Sequence, residues 1–384
     1  MNIIFICGSL EQGKDGVGDY TRRLCGELIK QGVSVGMLAY NDKHINNKIE
    51  ALQISESSSV PCLRLPHTWN SNKRCIESKK WVDFNNPEWI SLQFVPYSFE
   101  KKGLPLGLAN QLKKIGTSQT KWHIMFHELW LGLNKSDSLK NTCIGKLQKF
   151  IIKFLVKKLN FNVVNTQSQL YLNELNNLNF DAKYLPLHGN IPFMRRSKET
   201  SIVTNKNKLL FVVFGSVRKG TPLIPFVEEF VNYFKSTTNE GVLLLVGRSG
   251  EEQQKWAREF EKYKIEVSLL GEMNEVEISN LFQSSNYGIT TTPLPLIEKS
   301  GAVAAMREHG LPIIIVSKSW VPKSEFLTNL PDNIMEYCQG NFSDLMKEKI
   351  KTTENQGVIF VAKKLISYLY NNTQEYKNEI KITA

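Results

Sequence analysis

Thr290–Val316, TTTPLPLIEKSGAVAAMREHGLPIIIV, is the stretch on which the reading of this chain turns. A β-compatible run ends in Pro293 and Pro295, and the polar tetrad Glu298-Lys299-Ser300-Gly301 follows. Ala302, Ala304, Ala305, Met306, Arg307 and Glu308 are helix formers. Gly310 and Pro312 stop that helix, and Ile313 to Val316 reads as a buried strand. A strand-loop-helix-strand unit presents unpaired amides at the helix entrance, on the positive end of the macrodipole, where a phosphate is welcome. Lys299, Ser300 and the Gly301 amide stand there. The plainer reading makes Ser300 the cap of an ordinary βαβ crossover.

Upstream, the same alternation starts at Leu209–Phe214, an apolar strand, and the loop Gly215-Ser216-Val217-Arg218-Lys219-Gly220 follows it. A helix is expected from about Pro222 to Phe234. Strands are expected at Val242–Val246, Val267–Leu270 and Tyr287–Thr291, with helices at Glu251–Tyr263 and Glu275–Gln283 between them. Arg218, Lys219 and Lys299 each follow a strand of one sheet, so they are placed to converge on one anion, best a diphosphate.

The first half repeats the pattern. Asn2–Cys7 reads as a buried first strand, since it lacks the basic start and the apolar length of a signal peptide. The loop from Gly8 to Gly18 leads into a helix from about Asp19 to Gln31. Gly16 and Gly18 there suit close approach to a phosphate or sugar, although the spacing is not that of a dinucleotide fingerprint. Val33–Tyr40 is the next strand, and Lys43–Pro66 reads as loop with short elements. Trp122–Phe126 is a strand that delivers His127 and Glu128 to its carboxyl end, where ligands of open α/β sheets bind. A structural His127 is the competing reading. Ile144, Leu147, Ile151, Phe154 and Leu155 recur at helical spacing beside several lysines, which predicts an amphipathic basic helix. Its apolar side is expected on the sheet, and contact with an anionic membrane is the other use of such a helix. Asn162–Asn165 is a strand, with Ser168 at the cap of the helix beginning near Gln169. Pro186–Lys198 breaks the texture and reads as the interdomain linker. A last helix is expected at Gly357–Asn371, with a tail after it.

At 384 residues, with 41% hydrophobic and 22% charged residues, the chain has room for two folded domains. The 48 Lys and Arg outnumber 37 Asp and Glu, which favours an anionic partner. No uninterrupted apolar run reaches the roughly 18 residues of a membrane span. The six cysteines form no CxxC pair and read as reduced thiols of a cytoplasmic protein. His123 and His127 lie four apart on a strand running into a loop, not on a helix, so no metal site is expected. The Lys73-Arg74 and Lys79-Lys80-Trp81 segments read as a solvated face, so no nucleic-acid partner is expected.

Taken in order, these residues resemble retaining glycosyltransferases of the GT-B type, family 4. Gly16-Val17-Gly18-Asp19-Tyr20-Thr21 resembles that family's Gly-rich loop and first helix, and Phe126-His127-Glu128 its His-bearing strand end. Val164 to Ser168 resembles the strand before its linker, Gly215 to Gly220 its Arg/Lys loop, and Leu243 to Gly247 its next strand. Glu298 and Gly301 match the first Glu and second Gly of its Glu-Gly-Phe-Gly segment, with Lys299 and Ser300 replacing the residues between. The second Glu of that pattern, which in the family holds the ribose hydroxyls, falls at Met306, and Glu308 is the nearest substitute.

The resemblance implies an α/β GT-B fold of two Rossmann-like doubly wound domains facing a central cleft. Residues 1–188 would form the acceptor side, 189–355 the nucleotide-sugar side, and 356–384 a C-terminal helix and tail. It implies transfer of a sugar, with retention, from a nucleotide-sugar substrate to a glycan or lipid-linked acceptor, without metal or other cofactor. His127 and Glu298 would be catalytic, and Gly16, Gly18, Arg218, Lys219, Lys299, Ser300 and Gly301 would hold the nucleotide diphosphate. The expected location is cytoplasmic, with peripheral contact at the inner face of the membrane as the open alternative to solvated lysines. Three rivals share parts of the pattern: a sugar-nucleotide epimerase or hydrolase, a GT-B scaffold that binds without chemistry, and a basic nucleic-acid-binding protein.

Overall fold

The computed structural model describes residues 1–195, 207–248, 250–325, 333–348 and 357–383, with side chains described through residue 371. The chain divides into two compact units. Unit 1 is residues 1–186, 322–326 and 358–384, and unit 2 is 187–321 and 327–357. Arg196 to Lys198, the end of the expected linker, lies outside the described residues.

Unit 1 begins with β1 (Asn2–Cys7), α1 (Gly16–Lys30) and β2 (Ser34–Asp42), a parallel βαβ unit whose strands pair from Asn2 with Ser34 to Cys7 with Ala39. The next two strands, β3 (Ile49–Ser55) and β4 (Ser58–Pro66), form an antiparallel hairpin where sequence reasoning expected loop. Three features hid it. Glu56 and Ser57 make the tight turn with positive φ of 50° and 61° and no glycine to announce it. β3 is an edge strand whose Leu52 and Ile54 face solvent, so the inside-outside alternation is absent. Pro61 interrupts β4, but at a point where the strand pairs only with β3, since pairing with β2 starts at Cys62.

The unit continues through α2 (Ser71–Asn85), β5 (Trp89–Phe94), α3 (Pro96–Phe99), α4 (Leu108–Ile115), β6 (Lys121–Phe126), α5 (Leu139–Leu159), β7 (Val163–Thr166), α6 (Gln169–Asn176) and β8 (Ala182–Tyr184). The eight strands lie in the order β3-β4-β2-β1-β5-β6-β7-β8, all parallel except β3. The chain therefore builds outward from β1 on one side, then returns to build on the other. The reversal lies between β1 and β5, the position at which open α/β sheets as a class bind ligands.

Unit 2 repeats the plan with β9 (Lys208–Phe214), α7 (Leu223–Lys235), β10 (Glu240–Val246), α8 (Glu251–Lys262), β11 (Glu266–Gly271), α9 (Glu275–Ser284), β12 (Tyr287–Thr290), α10 (Gly301–Glu308), β13 (Ile313–Ile315), β14 (Ile334–Glu336) and α11 (Phe342–Leu345). Its order, β11-β10-β9-β12-β13-β14, reverses between β9 and β12. Both faces are buried. Phe226, Phe230, Trp256, Phe260 and Phe342 cover one, and Ile278, Phe282, Val303 and Met306 the other. Phe226, Phe230 and Phe234 recur at every fourth position of α7, which places all three on its inner face. The last helix, α12 (Val358–Thr383), belongs to unit 1, where it packs on α1 and Tyr368 Oη donates to the Tyr184 carbonyl at 3.0 Å. It continues as helix through the stretch expected to be a tail.

Helix α5 departs from expectation in its orientation. Its buried side is Gly145, Gln148, Ile151, Ile152, Leu155 and Leu159, while Leu147 and Phe154, expected on the sheet, face solvent. Gly145 sets this rotation, because a Cβ there would collide with the Leu131 carbonyl oxygen. The Gln148 side chain, on the same side, accepts from the Leu131 amide at 2.8 Å and donates to the Gly103 carbonyl at 3.1 Å. Among the described residues no helix is long and apolar enough to cross a membrane. Replacing Gly145 by Ala forces backbone against backbone, so Gly145→Ala is expected to cost about 2–3 kcal/mol of unfolding free energy or more. Urea denaturation checks this, and an unchanged midpoint refutes the close approach.

Candidate functional site

In unit 2 the loops that leave β9 and β12 meet at the reversal point. The Arg218 amide donates to Thr291 Oγ1 at 2.9 Å, joining the two loops across the reversal. Gly215, the first residue after β9, lies against the start of α10. Ala302 Cβ is 3.7 Å from the place a Gly215 Cβ would take, and Gln253 holds the Gly215 carbonyl at 2.9 Å. Ser300 is the N-cap of α10, its Oγ accepting from the Val303 amide at 3.4 Å. Gly301 is therefore the first residue of the helix, as the tetrad suggested. Glu298 and Lys299 end the preceding 3₁₀ turn, Leu294–Lys299, and both are half-buried.

Arg218 and Lys219 are exposed on the β9 loop. The Lys219 ammonium is 3.8 Å from a Glu251 carboxylate, and with side-chain exposures of 79% and 82% this pair is too well hydrated to compete with a doubly charged ligand. Met306, where the resemblance places a ribose-binding carboxylate, is fully buried and packs its sulfur against Gly288 of β12. Glu308 does not replace it. Its carboxylate accepts from the Gly189 amide at 2.6 Å, at the far end of α10 from Gly301.

In unit 1 the loop after β1 is stitched to β2. The fully buried Asp42 carboxylate accepts from Ser9 Oγ at 2.9 Å, from the Leu10 amide at 3.2 Å and from Arg64 Nε at 2.7 Å. Burial pushes the Asp42 carboxyl up, but the bonds from Arg64 and the His44 and Leu10 amides outweigh it and hold it below the usual value. Helix α1 starts at Gly16, earlier than expected, because Asp15 caps it: one carboxylate oxygen accepts from the Val17 amide at 3.1 Å and from the Gly18 amide at 2.8 Å. The Gly18 amide therefore serves the cap. A Cβ on Gly18 would strike the Ser9 carbonyl, which accounts for glycine there by packing alone.

His127 is buried at the end of β6, edge-on to the Tyr20 ring at 4.8 Å between centroids. It terminates a chain of hydrogen bonds running across β8, β7, β6 and β5. The chain has one end that cannot be reversed: the Lys183 carbonyl only accepts, so the group facing it at 2.9 Å is the Asn165 amide nitrogen. The Asn165 oxygen then faces His123 Nε2 at 3.0 Å, which places that imidazole's proton on Nε2 and leaves Nδ1 to accept from Ser91 Oγ at 2.7 Å. Ser91 Oγ in turn accepts from the Gln93 amide nitrogen at 2.7 Å, and the Gln93 oxygen is left to accept from His127 Nε2 at 2.9 Å. His127 therefore carries its proton on Nε2 and a lone pair on Nδ1, for which the described residues supply no partner. Sequence reasoning missed Ser91, Gln93 and Asn165. The available signal was two polar residues, Ser91 and Gln93, on alternate positions of an otherwise apolar strand.

No protein-family model matches the chain, and no curated protein matches it in sequence. Among solved structures the likeness is one of fold. HepE from Anabaena, in complex with UDP and glucose, is 12% identical with a TM-score of 0.55, over 99% of this chain and 100% of the other. Starch synthase IV from Arabidopsis thaliana, its catalytic domain bound to ADP and acarbose, is 11% identical with a TM-score of 0.55, over 98% of each chain. UDP-GlcNAc 2-epimerase from Neisseria meningitidis, bound to UDP-GlcNAc, is 8% identical with a TM-score of 0.53, over 97% of this chain and 100% of the other. The chain has the GT-B fold of two Rossmann-like α/β units.

Burial lowers the pKa of both imidazoles, of His123 to about 4 and of His127 to about 3, the latter with a further push from His123. Unfolded histidines titrate near about 6.5, so the unfolded chain takes up protons first as the pH falls. The stability held by these neutral groups is complete above that value and is lost as the pH drops toward the folded values. The loss is expected to approach about 1.4 kcal/mol per imidazole per pH unit. Urea denaturation at about pH 7.5 and about pH 5.5 measures it, with imidazole ¹⁵N shifts as the direct check. Either ring titrating near neutrality in the folded protein would contradict the arrangement.

Proposed function

We propose that this chain is an enzyme acting on a nucleoside-diphosphate sugar, with the diphosphate held in unit 2 at the reversal between β9 and β12. The observation that carries the reading is the Arg218 to Thr291 bond beside the α10 entrance. It gathers a loop bearing two cations, a glycine-lined approach and a helix N-terminus at the one place where a doubly wound sheet offers a crevice. Solved structures of the same fold hold UDP or ADP. Arg218 and Lys219, with Lys299, Ser300 and the Gly301 amide, would stabilise charge on the departing diphosphate, which is where charge develops. Glu298 would face the sugar.

The tautomer of His127 refines its role. An imidazole held near a pKa of about 3 is a poor general base at neutral pH, but its Nδ1 lone pair is a fixed acceptor for a sugar hydroxyl. It would orient rather than deprotonate.

Two reactions fit this arrangement. One is transfer, with retention, to a glycan or lipid-linked acceptor. The other is epimerisation or hydrolysis of the nucleotide-sugar with no acceptor. The second is favoured by the epimerase of the same fold; the absence of the family 4 carboxylate at Met306 bears on nucleotide binding, which both reactions need, and keeps a binding scaffold without chemistry as a rival. Incubating candidate nucleotide-sugars with and without acceptor, and following the sugar by NMR, separates them. Conversion without acceptor supports the second, conversion only with acceptor the first, and no consumption of any nucleotide-sugar defeats both.

Calorimetry with nucleoside diphosphates tests the site itself. Lys219→Ala is expected to weaken diphosphate binding by about tenfold, or about 1.4 kcal/mol, with the melting midpoint unchanged because the side chain is exposed. Lys299→Gly should likewise weaken it, whereas Glu298→Gln should lower turnover and leave bare diphosphate binding intact. Diphosphate affinity damaged by Glu298→Gln but not by either lysine variant would move the site elsewhere.

A further inference from the structure

Helix α5 has two apolar sides, and only one is used by the fold. On the outward side Leu139, Leu147, Phe150 and Phe154 are 86%, 40%, 64% and 39% exposed. At 3.6 residues per turn they fall within an arc of roughly 80° along the whole helix. Exposed Lys146, Lys153 and Lys157 run along one margin of that arc, and Lys140 and Lys158 lie beyond the other. No Asp or Glu occurs between Leu139 and Leu159. The neighbouring helix α4 ends in exposed Lys113 and Lys114. Isolated exposed leucines are ordinary, but two phenylalanines in line, hedged by cations on both sides and held outward by the Gly145 contact, are not.

We propose that this face of α5 docks on an anionic lipid bilayer, with Phe150 and Phe154 entering the boundary between headgroups and acyl chains. The lysines reach up to the lipid phosphates on their long stems. Charge complementarity selects this occupant. A second copy of the chain would set lysines against lysines. A polyanion without an apolar layer would satisfy the lysines and leave the phenylalanines in water. An anionic membrane accepts both, and the helix lies on it without crossing.

The test uses the full chain and vesicles, read by co-sedimentation, and does not depend on which nucleotide-sugar reaction the protein carries out. Wild type is expected to sediment with vesicles of phosphatidylcholine containing about one third phosphatidylglycerol, and to remain in solution with phosphatidylcholine alone. The pair Phe150→Ser and Phe154→Ser should lower partitioning by about tenfold or more, since it removes the inserted area. Independently, Lys146→Gln with Lys153→Gln should weaken binding at low salt, which keeps the test decisive if the aromatic variant fails to fold. Melting midpoints check that each variant is folded. The proposal is overturned by wild type that stays in solution with anionic vesicles, by equal binding to neutral vesicles, or by folded variants that bind like wild type. A dimer seen in sedimentation velocity without lipid, and abolished by Phe150→Ser, would assign the face to a second copy instead.

Discussion

A parallel sheet covered by helices on both faces leaves itself only one place to do chemistry, the ends of its strands. Both units obey this constraint, and the rest follows from it. Strand interiors are apolar, as in Ile3 to Cys7 and Phe211 to Val213, so every helix must spend its apolar face on them. The polar side chains needed at a site must then enter from loops at the carboxyl ends or be carried through the interior with all bonds satisfied. Unit 2 takes the first course, with Arg218, Thr291 and Ser300 all on loops. Unit 1 takes the second, with the side chains of Asn165, His123, Ser91 and Gln93, on three strands, leading from a β8 carbonyl to His127.

That thread shows why a buried polar network can be specific as well as costly. Asn165, His123, Ser91 and Gln93 each have one donor and one acceptor in use, and the Lys183 carbonyl fixes the sense of the whole. Flipping any amide would set donor against donor, so the state of an imidazole at the end of β6 is decided at β8. The thread joins residues far apart in the chain, which is why spacing could not reveal it. His123 lies on β6 and His127 just after it, as the sequence suggested, but the bridge between the two neutral rings through Ser91 and Gln93 is a property of strand register.

The repeated βαβ rhythm was legible because buried parallel strands are apolar runs and helices of such domains carry a period, whereas the strand order that sets each reversal is a matter of pairing that no local pattern records. α7 and the strand-end position of His127 were read from those two signals. The β3-β4 hairpin was not legible, since an edge strand facing water has no alternation to read and its turn uses Glu56 and Ser57 instead of glycine. At the site, Ser300 as cap and Gly301 as the first helical residue were legible from composition. The part played by Asp15 was not, because a carboxylate before a glycine-rich helix start looks the same whether it caps the helix or merely precedes it.

Helix α10 shows how packing can claim the position at which a resemblance expects a polar side chain. The helix begins at the reversal and must also cover the sheet, so its inner positions are claimed by packing. Met306 takes one of them and fills the space that Gly288 leaves on β12. A carboxylate there would be buried among Val303, Ile313 and their neighbours with its charge uncompensated, and burial of an unpaired charge is among the larger costs a fold can meet. Glu308 lies two residues on, where it can hold the Gly189 amide at the point the chain enters unit 2. Met306 and Glu308 therefore serve the stability of the unit, and ribose recognition at this helix would have to come from groups other than the side chain at position 306. Under the proposed reading, that leaves the α10 entrance, where Ser300 caps the helix and Gly301 begins it, to meet the diphosphate and not the ribose.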